Sequence, residues 1–361
     1  MTHDASSVTT ALQSLVRQAI ERAGGWLPFD RFMALALYAP GLGYYANEGR
    51  KFGAMPSSGS DFVTAPEMTP LFGETLAVQV ADAFEATGTN DVWEFGAGSG
   101  ALARQLLQAL AGRVRRYHIV ELSGSLRARQ EDQLREFAGR VQWHGELPEQ
   151  FEGVVVGNEV LDAMPVKLLV RKSGQWFERG VSAALAWSDV ATQLRPPIDI
   201  EGPQDYLTEI HPQAEAFIRT LADRLSKGAA FFLDYGFPER EYYHPQRHMG
   251  TLMCHRGHKA DTDPLADAGL KDITAHVNFT GIALAAQEAG LATLGYTSQA
   301  RFLINCGLVQ RLEHASLQER TAALRLMAEH EMGELFKVLA LHAGDWWDAM
   351  GFRDGDRTHT L

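Results

Sequence analysis

The chain has 361 residues and a formal net charge of −12, from 45 Asp and Glu against 33 Lys and Arg. That balance argues against a general nucleic-acid binder, which needs a basic face for phosphate, and no nucleic-acid partner is expected. An apolar content of 45% with 22% charged residues is that of a globular protein. Two cysteines, Cys254 and Cys306, cannot build a disulfide framework. No apolar run is long enough to cross a bilayer, so no membrane span is predicted. The first residues lack an apolar signal core, and a cytoplasmic location is expected.

Taken in order, residues 8–23 carry Leu12, Leu15, Val16 and Ile20 at helical spacing, closed by Gly24-Gly25. A second apolar helix is predicted over 29–38. The polar, Gly- and Ser-rich segment 47–60 reads as a loop over the site. Thr69 and Pro70 announce a helix over 71–84. From there strands and helices alternate. Strands are predicted at 91–95, 117–121, 141–143, 153–158, 229–235, 291–298 and 335–341. Helices are predicted at 100–111, 125–137, 208–226, 280–289 and 314–331. Segment 166–187 reads as a strand-rich insertion turned at Ser173-Gly174. Segment 236–278 reads as a long polar loop, and the tail from Arg353 as frayed.

This order predicts an α/β fold with a doubly wound, mostly parallel sheet. The expected division is an N-terminal helical section with a lid loop (1–85), a core (86–165 and 205–345), an insertion (166–204) and a tail (346–361).

The stretch Glu94-Phe-Gly-Ala-Gly-Ser-Gly100 follows the first strand of that sheet and opens a helix. Glycines there permit positive φ and a close approach of ligand to backbone. In a parallel α/β sheet this is where a nucleotide-like cofactor lies. One reading is S-adenosylmethionine. Glu94 at the strand end would hold its methionyl ammonium, and Glu121, at the next strand end, its ribose hydroxyls. The other reading is a nicotinamide or flavin dinucleotide, since Gly96-x-Gly98-x-x-Ala101 also fits that pattern. Glu94 opposes it, because a carboxylate repels a pyrophosphate. From the glycines alone, a turn with no ligand is a third reading.

Asn158-Glu-Val-Leu-Asp-Ala-Met-Pro165 ends the fourth strand, beside the first in a doubly wound order. Glu159 and Asp162 would point into the same cleft, or be acids favoured at a helix start. His244, His248, Cys254, His255 and His258 have irregular spacing among cationic neighbours, and no metal is expected there.

The motif 158–165 resembles the signature of the MidA family, which includes a mitochondrial complex I assembly factor that methylates protein arginine. Ser60-Asp-Phe-Val-Thr-Ala-Pro-Glu67, Glu94–Gly100, Asp234-Tyr-Gly236, Asp272–Phe279 and Met332–Leu339 resemble it too. The likeness runs from about Phe29 to Leu341. It implies a Rossmann-like class I methyltransferase sheet and S-adenosylmethionine as cofactor. Less directly it implies symmetric dimethylation of a protein arginine and a part in respiratory complex I assembly. The rival readings are a non-catalytic assembly factor and a small-molecule methyltransferase.

On the methyltransferase reading, Glu159 and then Asp162 are the expected catalytic carboxylates, forking an arginine guanidinium. Glu94, Gly96, Ala97, Gly98, Gly100, Glu121, Asn158 and Thr64 are expected at the cofactor. Asp61, Glu67, Tyr235, His276 and Asn278 are expected at the acceptor substrate.

Overall fold

The structure is a computed structural model that describes residues 5–47 and 63–361. The loop expected at 47–60 lies outside the described residues beyond Asn47.

Eight strands form the sheet that carries the glycine-rich turn, seven along its main path and the two-residue strand Val277–Asn278 off it. Those seven are β1 Asp91–Phe95, β2 Arg116–Val120, β3 Val141–His144, β4 Phe151–Asn158, β5 Leu225–Phe237, β6 Ala292–Ser298 and β7 Phe336–Ala343. Their order is β3-β2-β1-β4-β5-β7-β6. The first five are parallel, and β7 runs antiparallel between β5 and β6. The expected doubly wound, mostly parallel sheet is what forms.

The central strands are apolar without interruption because helices cover both faces. Val92, Val154, Val156, Phe231 and Leu233 point to one face, into a core shared with helices Leu71–Thr87 and Ala101–Leu110. Phe95 and Phe232 point to the other. There Phe217 of helix Pro212–Arg224 meets them edge-on at 5.1 and 6.1 Å. Each such buried side chain contributes about 1.5–3 kcal/mol. The chain leaves β1 toward β2 and β3, then returns on β1's other side as β4. Such a reversal opens a crevice beyond the carboxyl ends of β1 and β4.

The chain separates into two contact units. The sheet's main path belongs to one, made of 63–161, 215–236 and 279–361. The other gathers 1–62, 162–214 and 237–278. These units do not follow the boundaries expected from composition. In the second, helices Ala5–Arg22 and Phe29–Tyr38 supply Leu12, Val16, Ile20, Phe29, Met33 and Leu37 to a core that also holds Leu168 and Val181. Strand Trp26–Pro28 pairs antiparallel with Gln175–Ser182, which pairs with Lys167–Lys172 and Trp187–Ala191. The predicted hairpin turn is present, with Ser173 and Gly174 at φ 48° and 81°, as a tight two-residue turn requires.

Three expectations fail here, the first being the helix expected over 208–226, which starts only at Pro212, after strand Tyr206–Ile210, and gives way to β5 at Leu225. Segment 236–278 is not a long loop. It holds helix Glu239–Tyr242 and a sheet of Met253–Arg256, Lys259–Asp261 and Asp272–Thr274. Its first half is tied down by Glu209, fully buried on strand Tyr206–Ile210. Its carboxylate accepts bonds from the amides of Thr251 and Leu252, from Tyr242 Oη at 2.8 Å and from Thr251 Oγ1 at 3.1 Å. A hydrogen-bonding partner remote in sequence ordered a segment that looked solvated. The tail is not frayed either. Asp356 accepts the Tyr296 amide at 3.0 Å, and Arg357 pairs with Glu334 at 2.5 Å.

Candidate active site

The glycine-rich turn is left-handed at all three expected positions, with φ of 64° at Gly96, 53° at Gly98 and 87° at Gly100. At Gly96 a Cβ would fall 2.9 Å from Val160 Cγ2, so the β1 and β4 turns touch there. Ala97 contributes backbone only. Its methyl packs into the core, and its carbonyl accepts the Gly100 amide at 2.7 Å.

Glu94 is 2% exposed, and Tyr117 of β2 donates to its Oε2 at 2.7 Å. Burial pushes this carboxyl up to about 8; the Tyr117 bond opposes the rise and the nearby Glu121 adds to it. An acid in that state favours a cation beside it, because ionising next to an ammonium removes the cost of burying a lone charge.

Glu121, just past β2, is also raised by burial, against bonds from the Ser123 amide (2.7 Å) and Gln130 Nε2 (3.1 Å). Asn158 ends β4, donates Nδ2 to Glu159 Oε1 at 2.9 Å, and has its own Oδ1 buried without a partner among the described residues. A buried acceptor with no donor calls for a ligand or water. The methionyl ammonium of S-adenosylmethionine would satisfy it. The glycine cradle, a buried carboxyl, a second carboxylate at the neighbouring strand end and this orphaned oxygen together fit that cofactor.

Glu159 has φ 55°, a left-handed conformation that a glutamate adopts at a cost. Its amide donates to Leu233 O at 2.9 Å. The next two amides, Val160 and Leu161, both donate to Asp234 Oδ2, at 3.1 and 2.9 Å, and Tyr235 N donates to Asp234 Oδ1. Asp234 is 1% exposed. This carboxylate at the end of β5 thus fixes the turn that presents Glu159.

The remaining expected residues divide between the units. Thr64 and Glu67 lie with the sheet, flanking and within the short helix Ala65–Met68. Glu67, expected at the substrate, accepts a bond from the Ser99 hydroxyl, which places it on the glycine-rich turn. Tyr235 is half-buried and meets Phe336 edge-on at 5.3 Å. Asp162, His276 and Asn278 belong to the other unit. There the Ala275 amide donates to Asp162 O at 3.0 Å, and His276 N donates to Thr251 Oγ1 at 3.0 Å. Asn278 bonds to the Glu239 carboxylate. Asp61 lies outside the described residues. In the histidine-rich segment, Cys254 is buried and its thiol pushed up to about 12 by burial, which makes a metal-binding thiolate costly.

Sequence reasoning missed Tyr117, Gln130 and Asp234 as supports. Gln130 left a visible signal: it follows Leu126 by four residues on the buried face of helix Gly124–Gln133, where a hydrophobe is expected. Tyr117 left none, because pairing it with Glu94 needs the strand register.

Residues 75–297 match the family described as "Putative S-adenosyl-L-methionine-dependent methyltransferase". A crystal structure from Burkholderia thailandensis, bound to S-adenosyl-homocysteine, is 49% identical. It superimposes with a TM-score of 0.95 over 100% of this chain and 99% of that one. The mitochondrial protein arginine methyltransferase NDUFAF7 homolog of Caenorhabditis elegans is 26% identical, over 89% of this chain and 84% of its own length. The human protein arginine methyltransferase NDUFAF7 is 26% identical, over 92% and 83%. The cradle at Gly96–Gly100 and the match over most of the chain lead to one conclusion: this protein belongs to that family, with a class I methyltransferase fold and S-adenosylmethionine as its cofactor.

Proposed function

We propose that this methyltransferase modifies an arginine side chain of a protein, with Glu159 as the carboxylate that receives it. The observation that carries the reading is the strained Glu159, held at φ 55° at the end of β4 beside the glycine-rich turn. A backbone so constrained suggests a carboxylate kept in one position for a purpose. Two relatives named as protein arginine methyltransferases support the choice of acceptor.

When bound, S-adenosylmethionine supplies an electrophilic methyl group on a sulfonium. The guanidinium is cationic at neutral pH and a poor nucleophile. Glu159 would take two of its N–H groups, draw the positive charge toward them, and leave the remaining nitrogen to attack the methyl carbon; the carbon–sulfur bond would break to leave S-adenosylhomocysteine, and that nitrogen would release one proton to solvent. Asn158, bonded to Glu159 Oε1, fixes that carboxylate's orientation. Most of the acceleration would come from positioning and electrostatics. Symmetric dimethylarginine is the product that the resemblance to the MidA family implies.

The test uses labelled S-adenosylmethionine and a cell lysate, with mass spectrometry of the labelled protein. Label on arginine supports the reading, and label found only on small molecules or on other side chains overturns it. A labelled subunit of respiratory complex I would extend it to assembly of that complex. The Glu159→Gln variant is expected to lose transfer by about a hundredfold or more while binding S-adenosylhomocysteine almost as wild type does. Unchanged turnover would remove Glu159 from the chemistry.

A further inference from the structure

Gln130 sits on helix Gly124–Gln133 with no exposed surface, yet it is polar and fully bonded. Its Nε2 donates to Gly98 O at 3.0 Å and to Glu121 Oε2 at 3.1 Å, and its Oε1 accepts from Trp143 Nε1 at 3.1 Å. One amide thus joins three elements: the middle glycine of the cofactor turn, the acid past β2, and the indole on β3. Trp143 anchors the oxygen, which fixes the amide plane and leaves both N–H groups aimed at the turn and the acid.

We infer that Gln130 is a positioning residue for the cofactor's ribose, setting the Glu121 carboxylate and the Gly98 peptide at a fixed separation. The inference rests on the reading that Glu121 takes the ribose hydroxyls. A carboxylate free to rotate would lose entropy on meeting those hydroxyls; one already held by Ser123 N and Gln130 does not. The Gln130 bond goes to Oε2 and the Ser123 bond to Oε1. The Leu122 backbone bonds the same carboxylate, and three bonds on a group with about four acceptor positions still leave capacity for a hydroxyl donor. The same Gln130 bond opposes the upward push that burial exerts on Glu121 and so favours its ionised, accepting form.

The experiment is calorimetry with S-adenosylhomocysteine and its 2′-deoxy analogue on the full chain. It uses wild type, Glu121→Ala, Gln130→Met and the double variant. Wild type is expected to prefer the hydroxylated ligand by about tenfold or more, the worth of a hydrogen bond to a charged group. Glu121→Ala should lose that preference; if it keeps it, the ribose reading itself falls. With that result secured, Gln130→Met should reduce the preference to about threefold alone and add less than about twofold in the Glu121→Ala background. It should also move upward the pH below which the preference for the hydroxylated ligand declines, a readout in which the ionisation of Glu94, common to both ligands, cancels. A residue that merely stabilises the helix would weaken both ligands equally in both backgrounds, and that outcome overturns the proposal. If Gln130→Met fails to fold, Trp143→Phe, which removes only the anchor on Oε1, should show the same loss of preference to a smaller degree; full preference in that variant likewise overturns it.

Discussion

Burial sets the chemistry of Glu94. Its carboxyl, 2% exposed, sits at about 8 against an ordinary 4.5. A folded-state pKa raised this way contributes stability that is complete below the unfolded value of about 4.5 and is lost as pH rises through about 8. Above that pH the free protein holds a desolvated charge with one hydroxyl bond from Tyr117. Glu94→Gln keeps that bond and removes the charge. The variant is therefore expected to melt higher than wild type at about pH 9, with the gain shrinking toward about pH 5. Its affinity for S-adenosylhomocysteine should fall, because the ammonium loses its counter-charge. Thermal melts across pH and calorimetry check both halves. A variant that melts no higher than wild type at the alkaline end would contradict the burial argument, and one that binds normally would remove Glu94 from the cofactor. Wild-type binding should also release protons near neutral pH, since the cation draws Glu94 into its ionised form. The heat should then change with the ionisation enthalpy of the buffer.

The turn from Asn158 to Leu161 is held by the neighbouring strand rather than by its own sequence. Asp234 at the end of β5 accepts the amides of Val160 and Leu161, and Leu233 O accepts that of Glu159. Asp234→Ala strands those amides, at about 1–3 kcal/mol for each one buried, and frees Glu159 to leave its left-handed conformation. The expected outcome is a lower midpoint in urea and a loss of methyl transfer. S-adenosylhomocysteine affinity should fall less than transfer does, because Glu94 and Glu121 do not depend on Asp234, whereas Asn158 and the Val160 side chain against Gly96 lie on the loosened turn. Normal transfer by a stably folded variant would show that the turn holds itself. This dependence also explains what could be read from sequence. Strand Asp91–Phe95 and the left-handed glycines were legible because apolar runs and glycine act locally. Glu159 was legible as a carboxylate at a strand end. That Asp234 and not Tyr235 supports it was hidden, since the pairing of β4 with β5 joins residues 74 positions apart. Likewise Glu67 appeared to belong to the substrate loop, and only the approach of Ser99 places it on the cofactor turn.

At the scale of the molecule, sequence reading found the elements better than their grouping. Composition cannot reveal that strand Trp26–Pro28 pairs with Gln175–Ser182, or that Glu209 gathers the segment around Thr251. The result is a unit assembled from three separated stretches, 1–62, 162–214 and 237–278, alternating along the chain with the unit that carries the sheet. Every described residue expected at the cofactor, from Thr64 to Asn158, lies in the sheet unit. The core of that unit draws its apolar side chains from residues 65 to 352 and none from the N-terminal helices. Removing residues 1–38 should therefore act selectively. Strand Gln175–Ser182 loses an edge partner, and Leu168, Val181, Cys254 and Ile273 lose the helices packed on them. Segments 162–214 and 237–278 then become long loops within the sheet unit. Lengthening a loop adds only about 0.6 kcal/mol of closure cost per doubling, so the sheet unit tolerates them. Limited proteolysis of the fragment 39–361 is expected to cut first within these two segments, while calorimetry still finds S-adenosylhomocysteine bound within about tenfold of the full chain. Loss of binding together with loss of far-ultraviolet ellipticity would show that the sheet unit requires the N-terminal helices to fold. Cuts distributed evenly along the chain would carry the same meaning, because a unit with its own core resists cleavage after its neighbour has opened.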